Sequence, residues 1–187
     1  MKMKYISVQI SVLVMALSAA TVFAQDVAID FTATILVPSC DIRINGGTGD
    51  NNTIAIGNGG KTSLDKILAG DSSASTPFSL EIISCSGPVS SLQTTINASQ
   101  SATVSSAIDN DYSADDSAPF TGVQISRASG GKPFVINSTS DAERLVWTAS
   151  EISNKRVDLK AQLISTDPAQ SAPGIYRSSA QFVITYE

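Results

Sequence analysis

Little in this sequence is equipped for chemistry. The 187 residues hold no histidine, one tryptophan and two cysteines, Cys40 and Cys85. Imidazole acid–base catalysis, histidine metal sites and four-cysteine zinc sites are therefore excluded within the chain. Gly57-Asn-Gly-Gly-Lys-Thr62 ends like a phosphate-binding loop, but Ala55 stands where its first glycine belongs and the strand-to-helix context is weak. A turn with a surface lysine accounts for it. Asp109-Asn-Asp111 with Asp115 and Asp116 resembles a calcium loop in charge only, because Ala114 and Phe120 occupy the glycine and glutamate positions. Three Asn-x-Ser/Thr triplets, at Asn51, Asn97 and Asn137, matter only in a host that glycosylates. No spacing nominates a lysine or carboxylate base for a serine nucleophile. The expectation is no enzyme activity, no catalytic or metal residues, no cofactor and no small-molecule substrate.

That leaves the cysteines, whose meaning depends on compartment. Lys2 and Lys4 precede an uncharged stretch from Tyr5 to Phe23, most apolar over Ile10–Leu17, and Val22-Phe23-Ala24 forms a small-residue cleavage site. Residues 1–24 read as a secretory signal peptide. A membrane anchor is the competing reading, but the apolar stretch is short and Gln25-Asp26 follow directly. Export to an oxidising compartment predicts a Cys40–Cys85 disulfide, with a free reactive pair as the alternative. Closing a loop of about 45 residues removes denatured-state entropy worth roughly 4 kcal/mol.

The chain has 12 basic and 17 acidic residues, a net charge of -5, and loses two of its lysines with the signal. An acidic surface is opposite in sign to a nucleic-acid footprint, so nucleic acid is not an expected partner. With 42% apolar and 16% charged residues, the composition is that of one folded domain.

The elements that would carry any site are strands. Apolar residues alternate at Thr53–Ile56, Phe78–Ile83, Leu92–Ile96, Val123–Ile125, Phe134–Ile136, Val157–Ile164 and Ala180–Tyr186. Clusters of Gly, Ser, Asn and Pro separate them, which predicts an all-β sandwich with at most a helical turn near Ser63–Ala69. Both ends of the exported chain are unusual. Val27, Ile29, Phe31, Ala33, Ile35 and Val37 form one apolar face ahead of Cys40, and Ala180, Phe182, Ile184 and Tyr186 alternate close to Glu187. Unpaired amphipathic strands invite edge-to-edge association.

These residues resemble the pilins of bacterial chaperone–usher fimbriae, of the type 1 and P pilus kind, across essentially the whole exported chain. The apolar segment Val27–Val37 precedes Pro38-Ser39-Cys40 as a pilin donor strand does. Phe78-Ser-Leu-Glu-Ile-Ile-Ser-Cys85, Gly122-Val-Gln-Ile125 and the closing Pro173-Gly-Ile-Tyr176 with Ala180–Tyr186 match further family patterns in order and spacing. One departure is Ala33, where the family commonly carries glycine seven residues before the cysteine.

The resemblance implies an incomplete immunoglobulin-like β-sandwich, the six-stranded pilin fold, completed by a donor strand. It divides the chain into a signal peptide (1–24), an N-terminal donor-strand extension (25–37) and a pilin domain (38–187). It further implies a structural subunit of an adhesive fimbria, exported through the periplasm to the cell surface and contributing to cell adhesion. Its partners would be neighbouring pilin subunits, a periplasmic chaperone and an outer-membrane usher. Ala180, Phe182, Ile184, Tyr186 and Glu187 would edge the groove and bind the chaperone. The alternative from another class is a self-complete secreted immunoglobulin-like β-sandwich binding module, in which Val27–Val37 folds back into its own domain.

Overall fold

The computed structural model describes residues 39–45 and 53–186. The signal-peptide, donor-strand and Glu187 assignments lie outside them. Along the chain run β1 (Cys40–Ile44), α1 (Leu64–Leu68), β2 (Ser75–Cys85), β3 (Leu92–Ala98), β4 (Ala107–Ile108), β5 (Thr121–Arg127), β6 (Leu145–Val146), α2 (Ala149–Ser153), β7 (Arg156–Ser165) and β8 (Ala180–Tyr186). One sheet has the order β1-β2-β7-β5-β4, the other β6-β3-β8, and every strand pair is antiparallel. β4 and β6 span two residues each, so six strands of five or more residues carry the sandwich.

Period-two patterning explains the layers. In β7, Val157, Leu159, Ala161 and Leu163 are buried, while Arg156 before them and Asp158 between the first two are exposed. Each large apolar side chain so placed contributes about 1.5–3 kcal/mol. From the second sheet, Leu92, Thr94 and Ile96 of β3 face the same interior. Trp147 fills the space between, and its indole N–H donates to Thr94 Oγ1 at 3.0 Å, which satisfies a buried donor without water. Gly122 opens the Val-Gln-Ile stretch of β5 because a side chain there would come within 3.0 Å of Ala107 Cβ and the Ile108 carbonyl oxygen. The glycine lets β4 lie against β5.

Two expected strands are not strands. At Thr53–Ile56, the Thr76 hydroxyl takes the place of a ladder: it donates to the Ala55 carbonyl and accepts from the Gly57 amide. Phe134 and Ile136 are buried, but the amides of Phe134, Val135 and Ile136 donate to Ile125, Glu143 and Ser105 respectively. Three partners in three places give core burial without pairing. Conversely, β1 is formed by the short alternation Cys40-Asp-Ile-Arg-Ile44, whose pairing with β2 shifts register between Asp41 and Ile42. The helical turn expected near Ser63–Ala69 is α1. A second short helix, α2, begins at Thr148, whose side chain accepts from the Glu151 amide while Glu151 accepts from the Thr148 amide.

Candidate functional site: an apolar groove beside the C-terminal strand

β8 is paired on one side only. Its register with β3 runs from Ala98 opposite Ala180 to Leu92 opposite Tyr186, and among the described residues no strand pairs with its other edge. Phe182, Ile184 and Tyr186 turn inward onto the core, and Val183 faces out. Phe182 meets Phe78 of the opposite sheet edge-to-face, with ring centroids 6.1 Å apart.

Next to that edge the described residues form a groove between the two sheets. With a volume of about 900 Å³, it has the buried side chains Phe78, Val123, Ile125, Ala161 and Leu163 as its floor. One wall is Ala180 and Phe182; the other is built from Ile44, Ile54, Ile56 and the α1 residues Leu64 and Ile67. Lys61 and Arg177 are the charged side chains among the described lining residues. Such a site suits an elongated apolar ligand that also offers backbone hydrogen bonds to β8.

The end of the groove where β8 begins is built around Asn110. Its side-chain N–H₂ donates to the Ser117 hydroxyl and to the carbonyls of Ala118 and Ile175, at 2.9–3.1 Å, while its Oδ1 accepts from the amides of Tyr112 and Arg177. One amide thus ties the 110–118 loop to the segment leading into β8. Gly174 allows the close approach, since a Cβ there would lie 2.5 Å from Ser117 backbone atoms. Tyr176, the aromatic after Pro173-Gly174, donates its phenol to the Ile108 carbonyl at 3.0 Å. Burial pushes its phenol well above the ordinary tyrosine range. Arg177 stacks over the Tyr112 ring at 5.2 Å, and hydrogen bonding to the Asp116 carboxylate raises the Tyr112 phenol.

The opposite end is held by covalent and polar ties. Cys40 and Cys85 are disulfide-bonded and stand directly opposite each other in the β1–β2 ladder. The Tyr186 phenol accepts from the Cys40 amide and donates to the Cys40 carbonyl, both at 3.2 Å.

The expected site residues are therefore placed unevenly. Ala180 and Phe182 line the groove, Ile184 and Tyr186 rest on the adjoining core, and Glu187 and Val27–Val37 are outside the described residues. Asn110, Arg177 and the wall made by Ile54 and Ile56 carry no such expectation from the sequence, and Gly174 enters there only as part of the Pro173–Tyr176 pattern. For Ile54 and Ile56 the alternation was visible, and only its role was misassigned. The phosphate-loop lookalike is a tight turn, with Asn58 and Lys61 exchanging backbone hydrogen bonds around Gly59 and Gly60, both left-handed. In the acidic loop, Asp111 accepts from the Ser179 amide and Asp116 from the Tyr112 phenol, so these carboxylates fasten loops.

Residues 29–187 match the family model described as fimbrial protein. The chain belongs to the fimbrial protein family. A curated relative from Escherichia coli (strain K12), the uncharacterized fimbrial-like protein YadM, is 29% identical over 194 residues, covering 96% of each chain. Among solved structures, the P pilus rod subunit PapA superposes with a TM-score of 0.56 at 18% identity, spanning 86% of this chain and 100% of that one. That likeness fixes the fold as an all-β, immunoglobulin-like pilin sandwich. Family membership makes the fimbrial chain a structural subunit.

Proposed function

We propose that this fimbrial subunit polymerises by donor-strand exchange: residues 25–37 of one copy fill the groove of the next. The observation that carries the reading is the apolar groove beside the edge of β8 that no described strand pairs with. Val27, Ile29, Phe31, Ala33, Ile35 and Val37 present the alternating side chains such a groove takes. Burying the larger ones gives a gross gain on the order of 7–15 kcal/mol. Ordering a free ten-residue strand subtracts a comparable amount, about 10 kcal/mol or more. Persistence of the joint therefore comes from slow release, because the groove floor is also the acceptor's core.

In this reading residues 1–24 direct export, and a periplasmic chaperone lends a strand to the groove, meeting the Glu187 carboxylate with basic side chains. At an outer-membrane usher the next subunit's extension replaces it, and the product is a surface fimbrium that contributes to adhesion.

Co-expression with a chaperone, usher and sibling subunits tests the proposal. A chain lacking residues 25–37 should still be captured by the chaperone yet fail to join a preceding subunit. Normal incorporation of that chain into fibres would overturn the reading.

A further inference from the structure

Among the described residues, four other than glycine hold a left-handed backbone: Asn45, Phe120, Asn137 and Lys155, with φ of 51°, 48°, 63° and 55°. Asparagine tolerates that conformation because its short amide bonds locally. Phenylalanine there is strained, and Lys155, just past the α2 C-cap Asn154, stands where glycine is the usual choice. The surroundings impose both conformations, as such strain requires. The Phe120 carbonyl accepts from the Thr166 amide at 2.8 Å and the Ser171 hydroxyl at 2.9 Å; the Lys155 carbonyl accepts from the Ile82 amide at 2.9 Å. Neither side chain is used within its own domain. Phe120 is 40% exposed, and the Lys155 ammonium has no carboxylate partner among the described residues.

The two residues stand at opposite poles of the sandwich. Phe120 precedes Thr121, which pairs with Ser165 at the end of β7, and Lys155 precedes Arg156 at its start. The length of β7, about 30 Å of extended chain, separates them. Lys155 edges a second cavity of about 280 Å³, walled by Ile82, Cys85, Gly87, Val89 and Ile152. A cavity of about 150 Å³ suffices for a benzene ring, so this one has room for a phenylalanine side chain. The poles also differ in charge. Beside Phe120, the connection from β4 to β5 holds Asp109, Asp111, Asp115 and Asp116 and no basic residue. Beside the cavity, Glu151 is taken by Arg127, which leaves Lys155 to set the sign at the rim.

We propose that these poles are the two halves of a side-chain contact between copies of this chain: Phe120 of one copy seats in the Val89–Ile152 cavity of the next, with Lys155 facing the acidic 109–116 loop. This rests on the donor-strand reading above and adds a second contact to each joint. A fibre needs a heterologous contact, one pole on the other, because like poles facing each other would close a pair. The chain enters its domain at the cavity pole, where Cys40 is bonded to Cys85 of the cavity wall. The copy that receives the N-terminal segment therefore lies against that pole and brings its own Phe120 to it.

The test uses the exported chain, refolded with its disulfide and concentrated until it sediments as polymer. With the photoreactive p-benzoylphenylalanine in place of Phe120, irradiation should join neighbouring copies, and the cross-linked peptides should carry Val89 or Ile152. A second measurement uses Phe120→Asn and Lys155→Asn, which keep a residue that accepts the left-handed backbone, so the dilute monomer should unfold at the same or a higher urea concentration. Polymers of Phe120→Asn should nonetheless dissociate about 10-fold faster in urea, since lost contacts show mainly in release. The loss of a rim charge in Lys155→Asn should speed dissociation less, about 3-fold at low salt. Polymers that cross-link only at other segments, or that dissociate at the unaltered rate, would overturn the inference and leave the donor-strand reading intact. An exported chain that stays monomeric at every concentration would sink the donor-strand reading and the inference with it.

Discussion

The Tyr186 phenol spans the two main-chain polar groups of Cys40, accepting from its amide and donating to its carbonyl at 3.2 Å each. The final strand is thereby fastened to the disulfide-bearing strand of the opposite sheet, across a separation of 146 residues. One side chain closes the end of the sandwich where the N-terminal segment leaves.

Replacing Tyr186 with phenylalanine keeps the ring and removes both bonds. A net contribution near 1 kcal/mol per hydrogen bond predicts a loss of about 1–2 kcal/mol in denaturant unfolding. Amide exchange should quicken in β8 and β1 more than in β5. An unchanged exchange pattern would show that the phenol does not anchor β8.

The Cys40–Cys85 bond joins facing residues of β1 and β2 and closes a loop with a sequence separation of 45. Cys40→Ser with Cys85→Ser should lower stability by roughly 4 kcal/mol in the chain-entropy account. Because β1 sits at a sheet edge and, among the described residues, has β2 as its one ladder partner, its amides should lose protection first. Urea titrations of oxidised and doubly substituted protein, fitted with a common slope, measure the difference.

Strand identity was legible in the sequence wherever alternation coincided with a continuous ladder, as in Val157–Ile164 and Ala180–Tyr186, where every second residue meets the core. It failed where burial came without pairing. Phe134 and Ile136 show the same apolar spacing, yet the amides of Phe134, Val135 and Ile136 find three separate acceptors. The groove was legible only in part. Phe182 announces an inward face by its spacing, but nothing local distinguishes a core strand from a groove wall, because that depends on whether another strand lies beside it. Asn110 carried no signal at all: its five partners lie on segments up to 67 residues away and meet only in the fold.

That convergence makes Asn110 the sensitive point of the groove's far end. Asn110→Ala leaves the Ala118 carbonyl short of a donor and the Arg177 amide short of an acceptor, while the Ile175 carbonyl keeps the Ala118 amide as its donor. A loss of about 2–3 kcal/mol is expected, within the range for unsatisfied groups. Gly174→Ala should act on the same loop by a different route, forcing Ser117 to shift and costing about 1–3 kcal/mol. Measured together, the two changes should be less than additive, since each frees the same contact.

Alkaline titration probes the same region. Burial holds the Tyr176 phenol above its ordinary value of 10.0 in the folded chain, so the folded state keeps a proton that the unfolded state releases. The associated stability is fully present below about pH 10 and is lost as pH rises beyond it. Stability should therefore fall with pH above that point. Tyr176→Phe should flatten this part of the decline, and phenolate absorbance from Tyr176 should appear only with unfolding. Ionisation of Tyr176 in the native protein near its ordinary value would contradict the assignment.

The two faces of β8 give the sharpest contrast. Phe182 turns inward against Phe78 and walls the groove, while Val183 next to it is 37% exposed. Phe182→Ala should cost about 2–3 kcal/mol, below the figure for a fully buried phenylalanine because one side of its ring already faces the groove. Val183→Thr should stay within about 0.5 kcal/mol. If an inserted strand rests on Phe182, the alanine change should also speed release of a fluorescein-labelled synthetic peptide of residues 25–37, whereas Val183→Thr should leave the release rate unaltered. Equal effects at both positions would mean that β8 does not present Phe182 to an inserted strand.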